Sequence, residues 1–503
     1  MATVIPFRGL RYNPAKVENL AHVVTPPYDV IDAAAQDYYY KRHPYNIIRL
    51  EYGKAYPWDS ETSNRYTRAA CNFAAWLKES VLVPEALPAL YLYEQEFTAG
   101  GERKIRSGLI CGVRLEPYEK GIVLPHEETI PKHKADRLEL MRSCRANFSP
   151  IFGLYTDREN EVGSALREKV KETPPDVNFT DDNGEVHRMW VITCPVTIGK
   201  VQQLMAGKRI FIADGHHRYE TALNYKKERE ALEGGRGDGA VAAASSCSVT
   251  PGGNIACSTE YEPAYNYVMM TLVNLYDPGL VVLPTHRLVR NVAGLDKGRL
   301  IDELKENFTV EEYPLAPDRS NFQDFLKAMA MRGRSGHDGL QMPAGKRAET
   351  GPAPGGPEPA AGGQQAGRAR SAAGHRHVFG LYAGEGRLYM LSLINEERLP
   401  LMMPPGRSPA WQGLDVSVLH TLIIEKHLGI CGELRARAEH ITYTREEEGA
   451  LQAVDCGEYQ LAFFLNPTLV EEVTEVAANG EKMPQKSTFF YPKLITGLVI
   501  NRL

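Results

Sequence analysis

The chain lacks any run of eighteen apolar residues, and its longest apolar stretches are short pieces such as Gly279–Pro284 and Leu461–Leu465. A membrane-spanning helix is therefore excluded. Its eight cysteines (Cys71, Cys111, Cys144, Cys194, Cys247, Cys257, Cys431 and Cys456) contain no C-x-x-C pair. That scatter fits reduced thiols better than a zinc site or a disulfide scaffold. A basic surplus is also missing: 58 Lys and Arg stand against 63 Asp and Glu, a net charge of −5. Proteins that hold duplex DNA through its phosphates carry the opposite balance, so that class starts at a disadvantage. The opening residues, Met-Ala-Thr-Val-Ile-Pro-Phe-Arg, show no charged segment followed by an apolar one. No secretory signal is expected, and a cytoplasmic location is.

What is present is ordinary for a globular protein: 43% hydrophobic and 24% charged residues in 503, enough to bury a real core. The length predicts two to four domains, or one with excursions. In Gly351–Gly374, Gly, Ala and Pro fill 18 of 24 positions. Such a stretch cannot offset its ordering entropy by burial, so 334–375 is predicted to be a disordered low-complexity insertion. Residues 1–333 then form the main region and 376–503 a C-terminal region that completes the fold. Gly234–Gly239 is a shorter loop of the same composition.

Periodicity predicts helices at Thr62–Ser80, Asp136–Arg145, Ile198–Met205, Asp415–His427 (with Asp415 as N-cap) and Thr468–Ala478. Strands are predicted at Pro150–Tyr155, Met189–Thr193, Arg209–Ala213, Ala240–Val249, Leu280–Leu283 and Tyr459–Leu465, with hairpins at 89–115 and 377–393. The class is α+β, with mixed sheets and helices.

The sharpest local signal is Phe211-Ile-Ala-Asp-Gly-His-His-Arg-Tyr-Glu-Thr-Ala-Leu223. An apolar strand runs into a glycine turn and a helix starts at once. The first N–H groups of a helix have no partner within it, and its dipole is positive there. Gly215 lets backbone approach a ligand, Arg218 offers a planar fork for phosphate oxygens, and His216 and His217 add groups that titrate near neutrality. Together these predict an anion cradle at a helix start. Taken singly, each residue reads as readily as an N-cap or a turn residue.

This segment resembles the signature turn of the ParB/sulfiredoxin-like superfamily. Sulfiredoxins carry Gly-Gly-Cys-His-Arg-Tyr there, ParB proteins a Gly-Glu-Arg-Arg type sequence and archaeal free serine kinases an Asp-Gly-His-Thr-Arg type. Asp214-Gly215-His216 matches the kinase type best, and His216 stands where sulfiredoxins have cysteine. A second resemblance rests on six blocks in order: Ile5-Pro-Phe-Arg-Gly-Leu-Arg-Tyr, Thr25-Pro-Pro-Tyr-Asp-Val-Ile, Ser149-Pro-Ile-Phe-Gly-Leu-Tyr, Ile212-Ala-Asp-Gly-His-His-Arg-Tyr-Glu, Leu283-Pro-Thr-His-Arg-Leu and Met483-Pro-Gln-Lys-Ser-Thr-Phe-Phe-Tyr-Pro-Lys. This set resembles the bacterial domain-of-unknown-function family numbered 1015, whose genes often lie beside those of serine biosynthesis.

The two resemblances imply a ParB/sulfiredoxin-like core plus an additional α+β region, and a nucleotide-dependent phosphotransferase acting on a small hydroxy compound such as free L-serine, or its reverse on O-phosphoserine with ADP. ATP or ADP with Mg²⁺ would be the cofactors. The residues read for these roles are Asp214, His216 and Glu127 in catalysis, with Glu127 also on the metal. Gly215, His217, Arg218, Tyr219, Lys486, Ser487 and Thr488 would hold phosphates, and Arg8, Tyr28, Asp29, Arg137, His286 and Arg287 the acceptor. Two of these sets sit in distinctive local patterns: Pro26 and Pro27 stiffen the turn that carries Tyr28 and Asp29, and Thr285-His286-Arg287 follows a predicted strand, where a crevice often lies. A ParB-like nucleotide-gated DNA regulator and a phosphate-ester hydrolase are the alternatives. The expected partners are a nucleotide and a small substrate, with neither nucleic acid nor membrane.

Overall fold

A computed structural model of the chain describes residues 1–129, 131–234, 262–333, 377–432, 434 and 439–503, with three short strand pieces at Ala243–Ala244, Cys247–Val249 and Ile255–Cys257. The expected insertion at 334–375 and most of the loop at 234–239 lie outside the described residues, as does much of the strand expected at 240–249. The class is α+β with mixed sheets. Two compact units are present, 1–283 with 469–503, and 284–468.

The first unit is built on a nine-stranded sheet. Its strands are β1 (Val4–Ile5), β2 (Leu90–Ala99), β3 (Glu102–Arg114), β4 (Val123–Leu124), β5 (Ile151–Tyr155), β6 (Val177–Thr180), β7 (Val186–Ile192), β8 (Ile210–Asp214) and β9 (Tyr267–Asn274). The order is β4-β8-β5-β9-β3-β2-β7-β6, with β1 beside β3. Only β8 with β4 and β9 with β5 run parallel. Successive side chains leave a strand on opposite faces, and here both faces are covered. On one, Ile151, Ile210, Ile212, Met270 and Leu272 meet α1 (Glu161–Val170), α2 (Pro195–Ala206) and α3 (His216–Gly234). On the other, Phe152, Leu154, Phe211, Met269 and Val273 meet the N-terminal segment and the last turns of the chain. Strands buried on both faces read as continuous apolar runs, which is why Phe211-Ile-Ala was legible as a strand.

The C-terminal stretch returns to this sheet. Phe489–Tyr491 pairs antiparallel with Val281–Leu283, and the Arg106 guanidinium binds the carbonyls of Tyr491 (3.2 Å) and Pro492 (2.7 Å).

In the second unit a six-stranded sheet contains His286–Val289, Phe308–Pro314, Val378–Tyr382, Arg387–Leu393, Ile441–Thr444 and Leu461–Phe464. Two expectations are corrected here. His286 and Arg287 do not face a crevice past a strand's end: they open a fully buried strand, because His-Arg-Leu-Val sits between Ile441–Thr444 and Leu461–Phe464. Asp415 is not an N-cap: Leu414 holds that position without a side-chain bond, and the helix passes through a π segment at His420–Glu425 before Lys426–Leu428.

One close approach fixes the loop before Val281. A Cβ on Gly279 would lie 2.2 Å from the carbonyl oxygen of Ile105, backbone that cannot swing aside. Gly279→Ala is expected to destabilise the protein by about 2 kcal/mol or more through overpacking, read as a lower urea midpoint with unchanged slope; an unchanged midpoint refutes the contact.

Candidate active site

The site grows from the end of β8. Its pairing with β5 runs Phe211↔Leu154 and Ile212↔Gly153, then slips so that Asp214 faces Phe152. The extra residue is a bulge, a device that re-aims the next side chain. Gly215 follows with φ +92°, a backbone region that glycine enters without a Cβ clash. Arg218, one turn into α3, folds back over that glycine: a Cβ at 215 would lie 2.9 Å from Nε and 3.0 Å from Cζ. Its Nη1 donates to the Pro150 carbonyl at 2.5 Å. The turn is thus covered by a guanidinium because its second residue has no side chain.

Asp214 receives a hydrogen bond from Lys493 Nζ at 2.8 Å, with 19% and 15% of the two side chains exposed. Burial alone would raise the carboxyl pKa. Lys493 and Arg218 outweigh it and hold Asp214 well below the usual carboxylate range. It is ionised at neutral pH. Lys493 also lies over the Phe489 ring, 4.4 Å from its centroid.

Behind the turn sits a pair of buried histidines. His126 Nδ1 donates to the Ile212 carbonyl (2.6 Å), and Nε2 lies 3.0 Å from Thr488 Oγ1. The His126 backbone N–H donates to His216 Nε2 at 3.2 Å, and the rings meet edge to face at 4.6 Å. Burial pushes the His126 imidazole down to about 4 and His216 well below its ordinary value, each helped by the other ring or by Lys493. Both are neutral. His216 Nε2 already accepts a bond, so this ring braces the loop at 126 and does not present a base at that nitrogen.

Around this centre lies a charged rim. Glu127 accepts from the Lys486 backbone N–H at 3.3 Å; burial raises its pKa, with Lys486 opposing and Asp214 adding to the rise. Glu220 accepts from Thr129 Oγ1 (2.6 Å) and Lys134 Nζ (2.8 Å). The His217 ring meets His133 at 5.3 Å, and burial, then His133, lowers it to about 4.

The remaining expected residues are distributed as follows. Thr488 touches His126, while Ser487 Oγ donates to the Pro484 carbonyl at 2.5 Å. Tyr219 turns away from the turn, its hydroxyl donating to the Glu116 carbonyl (2.9 Å) and accepting from the Glu116 N–H (3.0 Å). Tyr28 carries Arg137 on its ring face at 4.1 Å. Arg137 is buried and bonds the Glu51 carbonyl (2.8 Å) and Asp136 (2.5 Å). Arg218 acts electrostatically on Tyr28 and Glu51 as well as on Asp214, so it stands between the two clusters. Asp29 is exposed, and Arg8 Nε donates to the Glu85 carbonyl (2.9 Å) on the surface. His286 and Arg287 belong to the second unit, where Leu465 N–H donates to His286 Nδ1 (3.3 Å) and Arg287 lies over Tyr443.

Two residues were not foreseen. Lys493 is the cation on Asp214; its signal was its place at the end of the C-terminal block, two residues past an aromatic run. Glu51 is a buried carboxylate held by Ser149 Oγ (2.9 Å) and Arg137 (3.3 Å); nothing in Arg-Leu-Glu-Tyr marks it. Behind Arg218 a cavity of about 30 Å³ is lined by Glu51, Arg137, Ser149 and Thr221 with apolar neighbours. It has room for about one water.

The chain belongs to the family described as "Protein of unknown function (DUF1015)", whose model matches residues 4–417. No curated protein matches it. Among solved structures it is similar to a conserved hypothetical protein from Pyrococcus furiosus (13% identity, 77% of this chain and 92% of that one, TM-score 0.29). It is also similar to a free serine kinase in complex with AMP (13%, 76% and 86%, TM-score 0.30) and to SbnI from Staphylococcus aureus (10%, 77% and 85%, TM-score 0.30). No helix among the described residues is long and apolar enough to cross a membrane.

Two outcomes follow from the electrostatics. Lys493→Met leaves an ionised carboxylate without its cation and is expected to cost about 2–3 kcal/mol at pH 7, since the pair is largely withdrawn from water. In the Asp214→Asn background the same change should cost much less, and equal costs in a double-mutant cycle refute the coupling. His126 titrates at about 4 when folded and near 6.5 when unfolded. The unfolded chain therefore binds the extra proton between those values, so its contribution is fully present above about pH 6.5 and is lost as pH falls towards 4, by roughly 3 kcal/mol in all. Urea unfolding of His126→Asn should show a shallower acid slope than the wild type.

Proposed function

We propose that the turn at Asp214–Arg218 holds the phosphates of a nucleotide, and that the chain is a phosphotransferase acting on a small hydroxy compound, with free serine or O-phosphoserine as the first candidates. The observation that carries this reading is Gly215 at positive φ beneath the Arg218 guanidinium, at the first turn of a nineteen-residue helix. Helix N–H groups, a bare glycine backbone and a cation converge there, and anionic oxygens are what that combination stabilises. Lys493, Lys486, Lys482 and Lys134 add positive charge around it, as their effects on Asp214, Glu127, His217 and Glu220 record. The resemblance of Asp214-Gly215-His216 to the serine-kinase turn supports the same chemistry.

Phosphoryl transfer is mostly positioning and charge neutralisation. Gly215 and Arg218 would seat the phosphate chain, with Lys486 near its end. Serine's hydroxyl oxygen would attack the terminal phosphorus as the bond to the ADP oxygen breaks, and its proton would pass to a carboxylate. Glu127 suits that step, because a raised pKa brings a carboxylate closer to the operating pH. Asp214 stays ionised and holds Lys493 in place. Two carboxylates close enough to feel one another, Glu127 and Asp214, form a donor set of the kind Mg²⁺ takes; they would hold the ion, which neutralises phosphate charge when bound. In this arrangement His216 and His126 brace the turn, and Tyr28, Arg137 and Glu51 form the wall behind Arg218.

Purified protein incubated with serine and ATP, or with O-phosphoserine and ADP, is expected to exchange phosphate. Arg218→Ala and Gly215→Ala, which displaces that guanidinium, should each weaken ADP binding by at least tenfold in calorimetry. Absence of exchange in both directions removes the serine assignment. Unchanged ADP affinity in both variants removes the phosphate turn itself.

A further inference from the structure

The hairpin joining β6 to β7 carries a second cluster, independent of the phosphotransferase reading. Asp181, Glu185 and His187 bring one ligand atom each within 4.8 Å of one another. His187 is 0% exposed, its ring stacked between Phe179 (4.9 Å) and Tyr93 (6.1 Å). The Tyr93 hydroxyl lies 2.8 Å from Nδ1, but Nε2 makes no well-formed hydrogen bond and has only a long contact with a carboxylate. That nitrogen is aimed at Asp181 Oδ2, 3.4 Å away. A buried polar nitrogen so weakly bonded is costly and calls for an explanation. The spacing offers one: two ligands at about 2.1 Å on a tetrahedral ion lie about 3.4 Å apart.

The other atoms of the cluster are already tied down. Asp181 Oδ1 accepts from the N–H groups of Asn183 (2.9 Å) and Glu185 (3.0 Å), leaving Oδ2 for a ligand. The Glu185 carboxylate takes a hydrogen bond from the Tyr491 hydroxyl. In the tautomer whose Nδ1–H donates to the Tyr93 oxygen, His187 presents the Nε2 lone pair that a metal needs. The nearby buried cation, Arg106, directs its guanidinium to Gln95 and to the carbonyls of Tyr491 and Pro492, not to these carboxylates.

We propose that Asp181, Glu185 and His187 bind one divalent transition ion of the Zn²⁺ or Mn²⁺ type, which fixes this hairpin against the segment Tyr491–Lys493. One imidazole with two carboxylates suits such an ion, whereas Mg²⁺ favours oxygen ligands throughout. The site is a positioning device: Tyr491 lies two residues before Lys493, the cation on Asp214.

The test uses the full chain, stripped with EDTA and dialysed, then titrated calorimetrically with Zn²⁺, Mn²⁺ and Mg²⁺. The expected result is one equivalent of Zn²⁺ or Mn²⁺ bound at micromolar affinity or better, a raised Tm with that ion, and at least a hundredfold weaker Mg²⁺ binding. Glu185→Gln and His187→Gln should each weaken binding at least tenfold, as should Asp181→Asn, which is the least buried of the three and decides the matter if His187→Gln fails to fold. Less than a tenth of an equivalent bound to the wild type overturns the proposal. So does Zn²⁺ affinity unchanged in Asp181→Asn and Glu185→Gln, which would place the ion on other ligands such as the cysteines.

Discussion

A carboxylate withdrawn from water needs a cation, and for Asp214 that cation comes from 279 residues away along the chain. The rest of the site depends on this pairing. Asp214 ends a strand that is buried on both faces, so its side chain has little choice of direction. Lys493 reaches it because Phe489–Tyr491 pairs with Val281–Leu283 in a two-stranded ladder of its own and because Arg106, on β3 of the large sheet, grips the carbonyls of Tyr491 and Pro492. The segment Lys486–Lys493 is therefore part of the candidate site. A desolvated pair of this kind adds little net stability; its effect is to fix where a negative and a positive charge stand relative to Gly215 and Arg218.

The two buried histidines illustrate a different constraint. A His-His pair next to a glycine turn suggests acid/base chemistry, since imidazole titrates near neutrality. Burial removes that property. His126 and His216 cannot both be charged at a ring separation of 4.6 Å, and each has a backbone group to serve: the Ile212 carbonyl for one, the His126 N–H for the other. They hold the loop carrying Glu127 against the end of β8. In the proposed reaction the proton acceptor is instead Glu127, whose pKa burial moves upward.

Much of the local structure was legible. Phe211-Ile-Ala reads as a buried strand, the glycine after Asp214 as a turn, and the run from His216 as a helix, because each depends on neighbours within a few residues. The hairpin at 90–114 and the helix at 195–206 were legible for the same reason. His286 and Arg287 were not: polar residues just past a strand suggest a crevice, and only pairing with Ile441–Thr444 and Leu461–Phe464 makes them the start of a buried interior strand. Tyr219 belongs to the motif by position, yet helical geometry points it at Glu116.

The residue order by itself determined the α+β class, the strand–glycine–helix turn and the residue types that crowd it, since periodicity and backbone freedom are local properties. Tertiary structure alone decided which charges meet: that Lys493 faces Asp214, that Arg218 stands between Asp214 and Glu51, and that the histidines are neutral. Coulomb energies and desolvation depend on distance through space, and sequence separation carries no information about that distance.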